Sequence, residues 1–167
     1  NLKGISSELN SLNPDFILLQ EVDTDAKRSS YINEASKLQS ELLKQDYQSS
    51  FAENFKVKFI PYPIPPIGKV NAGIMTLSKS KISEATRVQL PCPFKWPTRV
   101  ANLKRCLSIN RLPIEGSDKE LVIVNLHLEA YDDGDGKKAQ AEMLRKYLQA
   151  EADKGNYVIA GGDFNQT

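Results

Sequence analysis

The stretch Tyr157-Val-Ile-Ala-Gly-Gly-Asp-Phe-Asn-Gln166 reads as an apolar strand that ends abruptly in Asp163 and Asn165. Residues two apart share one face of a strand, so a carboxylate and a carboxamide are expected to project together from its end. The glycine pair before them lets a ligand or a neighbouring backbone come close. Turn chemistry alone also accounts for Asp and Asn at such a place, so the reading needs support from elsewhere in the chain.

Two more strands end in the same manner. Phe16–Leu19 runs into Gln20 and Glu21, and Leu121–Val124 runs into Asn125 and His127. Three buried strands are therefore expected to deliver Glu21, Asn125, His127, Asp163 and Asn165 to one rim, where layered α/β architectures place their ligands. Oxygen donors suit a hard cation. Two carboxylates, Glu21 and Asp163, make a thin shell for calcium and an adequate one for magnesium, which keeps several waters. His127 is the single histidine of the chain. Zinc sites use several His or Cys ligands, so His127 reads as an acid, a base or a phosphate-binding group, with an ordinary structural histidine as the alternative.

Four blocks carry a resemblance: Asp15-Phe-Ile-Leu-Leu-Gln-Glu-Val22, Asn71-Ala-Gly-Ile-Met-Thr-Leu-Ser-Lys79, Asn125-Leu-His-Leu128 and Gly162-Asp-Phe-Asn165. Together, and in this order, they resemble the endonuclease/exonuclease/phosphatase superfamily over nearly the whole chain. The resemblance implies one α+β domain over residues 1–167, a DNase I-like four-layer α/β/β/α sandwich that is incomplete here. It implies a hydrolase of phosphate esters using magnesium, with manganese as the alternative ion. On the matching positions, Glu21 is similar to the metal-binding glutamate. Asp163 and Asn165 are similar to the pair that orients water and holds phosphate, and His127 to the histidine on the phosphate side. Histidine in that block is similar to the DNase I, sphingomyelinase and inositol polyphosphate phosphatase branches. The apurinic endonuclease branch carries asparagine there, which demotes abasic-site repair.

Two expected pieces have no counterpart: an opening strand with a metal-side asparagine and a closing Ser-Asp-His-like block. The chain is accordingly expected to be a fragment of a longer protein, and whether it turns over by itself is a question separate from the family's activity. Composition agrees with one globular domain, at 40% hydrophobic and 26% charged residues. No run of about 20 apolar residues is present to span a membrane. Neither this nor the start of the chain assigns a compartment. Cys92 and Cys106 show no metal or disulfide spacing and are expected to be reduced.

The spacing of Ile5, Leu9 and Leu12 predicts a helix over 5–12, stopped by Asn13-Pro14. A second helix is expected from Tyr31 to about Gln45, capped by Ser29 or Ser30, with Ile32, Ala35, Leu38, Leu42 and Leu43 inward. Four prolines predict an extended surface loop over 55–68. Asn71–Ser78 reads as a strand and Ile82–Leu90 as its hairpin partner across Lys79-Ser80-Lys81. Asn71 either contacts substrate or closes the preceding loop. Trp96, the only tryptophan, either packs in its loop or lies against a base or lipid. The acidic stretch 129–136 superficially resembles a calcium loop, but Tyr131 stands at its first ligand position, so a rim loop is expected instead. A third helix is expected from Lys137 to Ala152, with Ala141, Leu144, Tyr147 and Leu148 inward.

Between Lys95 and Arg111 there are five basic residues and no acidic one. Either these are the solvent face of a strand pair or they meet a phosphate-bearing partner. Arg105, opening the strand Cys106–Leu112, is the candidate phosphate clamp, because a guanidinium grips phosphate at two points. Asn71 and Asn125 join it as candidate substrate contacts. A net charge of +1 does not mark a protein that coats nucleic acid. A phosphoesterase acting on a phospholipid, phosphoinositide or nucleic acid stands first. A DNase I-like nuclease, and an inactive member used as a binding module, are the alternatives. No obligate protein partner is evident.

Overall fold

The computed structural model describes residues 2–44, 46–131 and 134–165. The elements run α1 (Leu2–Leu12), β1 (Phe16–Asp23), α2 (Glu34–Lys37), β2 (Gln48–Ile60), β3 (Gly68–Ser78), β4 (Glu84–Gln89), β5 (Cys106–Pro113), β6 (Glu120–His127), α3 (Asp135–Asp153) and β7 (Tyr157–Asp163). They form a three-stranded antiparallel sheet, β1-β3-β2, and a four-stranded sheet, β4-β5-β6-β7. Among the described residues, β6 and β7 are the one parallel pair. Parallel neighbours need a crossover, and α3 supplies it.

Burial follows strand position. Nearly every residue of β3, central in its sheet, is shielded, and so is β6 in the other. On the outer side of the first sheet, Ile17, Met75 and Leu77 pack with Leu43 and Tyr47, and Leu9 of α1 joins them. On the outer side of the second, Leu107, Ile109, Val122 and Val124 pack against Leu144, with Tyr147 and Leu148 of α3 around them. The sheets meet through small and polar side chains: Ala52, Ile74 and Cys106 form one contact cluster. The fully buried Asn110 donates to Thr76 Oγ1 (3.2 Å) and accepts from Ser50. Such bonds offset the cost of burying an amide. The result is the four-layer α/β/β/α arrangement.

Several elements differ from expectation. Asn33, not a serine, caps α2 by accepting from the Ser36 backbone N–H (3.0 Å). The second helix is only four α-helical residues followed by a π-helical turn, Leu38–Leu42. Gln45 lies outside the described residues. Residues 55–60 of the segment read as a loop are strand, because the prolines cluster after Ile60 and leave Gln48–Ile60 free to pair with β3, while residues 61–67 form the loop between β2 and β3. β4 pairs with β5 in the second sheet and not with β3. Helix α1 turns Ser6 and Leu9 inward and leaves Ile5 and Leu12 exposed. Strand β7 lies at the edge of its sheet, with Tyr157 and Ile159 exposed, so the third site strand is not buried. Asp132 and Asp133 of the acidic loop lie outside the described residues. Cys92 and Cys106 are free thiols.

Strand directions gather one rim. β1 is antiparallel to β3, with Asp23 opposite Ala72, so the C-terminal end of β1 meets the β2–β3 hairpin. β4 ends where β5 begins, Gln89 opposite Cys106, and β6 ends beside β7, His127 opposite Asp163. Across the sheets, Gln20 Nε2 donates to Asn125 Oδ1 (2.9 Å), which puts the ends of β1 and β6 on the same side.

Candidate functional site

Glu21 sits in a β-bulge. The β1–β3 register shifts between Leu19 and Val22, and Glu21 takes the left-handed conformation, φ 54°. A bulge re-aims a side chain away from the alternation of its strand, and positive φ is uncommon for glutamate. Arg28, on the turn after β1, holds the result. It grips the buried Asp23 at two points (2.8 and 2.9 Å) and reaches Glu21 Oε2 at 3.3 Å. The carboxylate of Glu21 is left exposed at the rim.

Beside it, the parallel β6–β7 pair brings His127 Nε2 to 3.6 Å from Asp163 Oδ2. Gly162 makes this approach feasible: its φ is 135°, and a Cβ there would stand 2.0 Å from the Leu126 carbonyl oxygen. Asn165 does not continue the strand alternation. With φ 49°, it folds back so that its backbone N–H donates to Asp163 Oδ1 (3.0 Å) and its carboxamide to the Leu128 carbonyl (2.9 Å). This local turn fixes Asp163 through the neighbouring amide.

Arg105 lies behind the pair, only 3% exposed. Its Nε is 3.7 Å from Glu129 Oε2, an ion pair without a direct hydrogen bond, and both Nε and Nη1 lack a hydrogen-bond partner. Burial disfavours the Arg105 charge, while Glu129, Glu21 and Asp163 favour it. A guanidinium stays charged under such opposing influences. Burial first, and then the Arg105 charge, push the His127 imidazole below its ordinary range, against the pull of Asp163 and Glu21. The buried histidine is therefore neutral near pH 7, and its Nδ1 has no partner. One guanidinium thus acts electrostatically with Glu21, Asp163 and His127.

The two asparagines stand elsewhere. Asn125 is wholly buried, and its carboxamide bridges the sheets, donating to the carbonyls of Met75 (2.9 Å) and Leu19 (3.3 Å). A side chain so engaged staples β1 and β3 to β6 and is not among the groups brought to the exposed rim. Asn71 lies on β3 beside Asp25, Lys56, Lys58 and Lys69 in a shallow concavity, and its carbonyl accepts from the Thr24 N–H, closing the turn after β1. Sequence reasoning missed Arg28, which carries no motif, and Glu129, set aside as a rim acid. The signal for Glu129 was its place two residues after His127. Its carboxylate also accepts from the Ala130 and Tyr131 N–H groups (3.0 and 3.1 Å).

Residues 1–167 match the model of the endonuclease/exonuclease/phosphatase family. No curated protein matches. Among solved structures, an endonuclease/exonuclease/phosphatase from Beutenbergia cavernae is similar at 20% identity and TM-score 0.76, covering 99% of this chain and 42% of that one. Truncated TDP2 of Caenorhabditis elegans is similar at 19% and 0.67, covering 99% and 55%. The human Nocturnin catalytic domain, with bound sulfate anion, is similar at 22% and 0.66, covering 99% and 57%. The chain therefore spans about half the length of the structures it resembles. These likenesses establish the DNase I-like fold, with two sheets between helical layers.

Proposed function

The chain belongs to the endonuclease/exonuclease/phosphatase family, a superfamily of phosphoesterases, and from that premise we propose that it hydrolyses a phosphodiester or phosphomonoester with the help of a divalent cation. The observation that carries this reading is His127 Nε2 at 3.6 Å from Asp163 Oδ2, with the buried guanidinium of Arg105 acting on that pair and on Glu21. From that buried position the guanidinium charge acts through space on the His127–Asp163 pair, where it favours a phosphate anion. The substrate, a phospholipid or phosphoinositide headgroup or a nucleic acid, shares that group.

The donor chemistry fits magnesium, with manganese as substitute. Among the described residues no three His, Cys, Asp or Glu side chains converge as a cage, and magnesium is commonly held by one or two carboxylates with waters completing its shell. Glu21, exposed and already fixed by its bulge and by Arg28, is the residue to hold it. Bound there, the ion would neutralise charge on the phosphate.

In the proposed reaction Asp163, oriented by the Asn165 amide, positions the attacking water and takes its proton. The water oxygen bonds to phosphorus as the bond to the alcohol oxygen breaks, and the departing alkoxide takes a proton from solvent. Arg105 and the neutral His127 stabilise the developing charge on the phosphoryl oxygens. Asn165, tied to the Leu128 carbonyl, keeps β7 in register with β6 at the reacting end. The test is release of nitrophenol from bis(p-nitrophenyl) phosphate and p-nitrophenyl phosphate by the natural gene product, with magnesium and with chelator. Turnover of at least one ester only with the metal is expected. Equal release with chelator, or none with metal from folded protein, refutes the reading.

A further inference from the structure

The loops of the rim that bears the candidate site are also where the protein exposes most of its large hydrophobic side chains. Among the described residues, the exceptions are Ile5, Leu12, Phe51, Tyr157 and Ile159. Two clusters stand out. The β2–β3 hairpin tip presents Phe59 (61% exposed), Tyr62 (76%) and Ile64 (91%), and the loop between β4 and β5 presents Trp96 (82%) with Val100. Prolines at 61, 63, 65 and 66 restrict the backbone of the hairpin tip, and Lys27 Nζ ties that tip to the turn bearing Arg28 by donating to the Pro66 carbonyl (3.1 Å). The second loop is joined to the hairpin strand by the Lys104 N–H on the Asn54 carbonyl (2.6 Å). Arg105 closes the second loop, and the turn tied to the hairpin tip carries Arg28, which reaches Glu21.

Each cluster carries exposed cations. Lys58 neighbours Phe59, and Lys95 and Arg99 flank Trp96; among the described residues none of the three has an ion-pair partner. Patches of exposed apolar side chains mark interaction sites. Aromatic residues with a polar edge, fully exposed isoleucine and lysines that snorkel suit the boundary between anionic headgroups and acyl chains. A nucleic acid is a poorer match, since Ile64, the most exposed of the set, offers no face for base stacking. Exposed cations beside exposed apolar side chains match a surface that is anionic and apolar at once, as an anionic bilayer is.

We propose that this rim is a membrane-docking surface, on which Phe59, Tyr62, Ile64 and Trp96 seat in an anionic lipid interface and turn the candidate site toward a phosphate-bearing headgroup. Docking follows from the surface alone; the lipid as substrate rests on the phosphoesterase reading.

The experiment is flotation of the natural gene product with vesicles of phosphatidylcholine, alone or mixed with phosphatidylserine, alongside an Ile64→Ser/Trp96→Ser variant and a short single-stranded DNA as competitor. Both substituted side chains are exposed, so the variant is expected to keep its circular dichroism spectrum and its release of nitrophenol from a soluble ester. The wild type is expected to float with the mixed vesicles more than with phosphatidylcholine, and the variant to bind them at least about tenfold more weakly. Wild-type protein that stays unbound, equal binding by wild type and variant, or release of the wild type by DNA at low concentration overturns the proposal. Vesicle binding without hydrolysis of any ester leaves docking intact and removes the phosphoesterase reading, so the two fail separately.

Discussion

Glu151→Gln removes a buried charge whose worth follows from its surroundings. Glu151, on the last turn of α3 and only 2% exposed, accepts from Arg111 at 2.7 and 3.1 Å, from Lys154 at 2.8 Å and from Asn156 at 2.8 Å. Arg111 lies on β5, so this cluster clamps α3 to the sheet that carries His127 and Asp163. The Arg111 guanidinium foremost, then Lys154 and Asn156, hold the carboxyl down to about 2 against the opposing effect of burial. The ordinary glutamate value is about 4.3, so at about 1.4 kcal/mol per pH unit the folded state gains about 3 kcal/mol. A depressed carboxyl pKa stabilises above the unfolded value and loses that contribution as pH falls through the folded one. The glutamine variant should therefore be less stable by about 3 kcal/mol at neutral pH. The gap should narrow from about pH 5 and close most of the way by about pH 2. Urea unfolding followed by far-ultraviolet circular dichroism at a series of pH values measures it. A gap that stays constant with pH, or that is below about 0.5 kcal/mol at pH 7 as exposed ion pairs give, would refute the reasoning.

Gly162→Ala puts a methyl group on the Leu126 carbonyl at a positive φ; it should cost well over about 1 kcal/mol and weaken the β6–β7 junction, seen as faster amide exchange at Asp163. Glu129→Gln leaves the buried Arg105 without its nearest counter-charge and should destabilise by about 3 kcal/mol in the same urea assay, where a neutral result would mean that Arg105 is balanced by Glu21 and Asp163 alone. Because burial and Arg105 favour neutral His127, its imidazole signal, assigned by its loss in His127→Gln, should titrate below 6.5 in the carbon–proton NMR spectrum; titration above that value would contradict the placement of Arg105 beside it.

Strand ends were the legible part of this chain. Apolar runs closed by Gln20-Glu21, Asn125-Leu-His127 and Asp163-Phe-Asn165 showed roughly where three strands stop, although β1 runs on to Asp23 and β7 lies at an exposed edge. Partnership was not legible: β4 alternates as well for pairing with β3 as with β5, and only the long-range fit of the sheets selects β5. Periodicity in α3 found Leu144 and Leu148 but passed over Gln140 and Glu151, buried polar residues that exist because Pro91, Glu129 and Arg111 meet them from distant segments. Arg28 escaped for the same reason: its role depends on a bulge whose left-handed Glu21 has no sequence signature. Asn125 read as a site residue because its motif position and its structural work coincide at one strand end.

The most direct test of the central claim is the turnover of Asp163→Asn beside the wild type, on the ester that the wild type hydrolyses with magnesium, after circular dichroism has shown both folded. Loss of the carboxylate that takes the proton from water should lower kcat by about 10²–10⁴-fold with little change in thermal stability. Turnover within a few-fold of wild type would contradict the account.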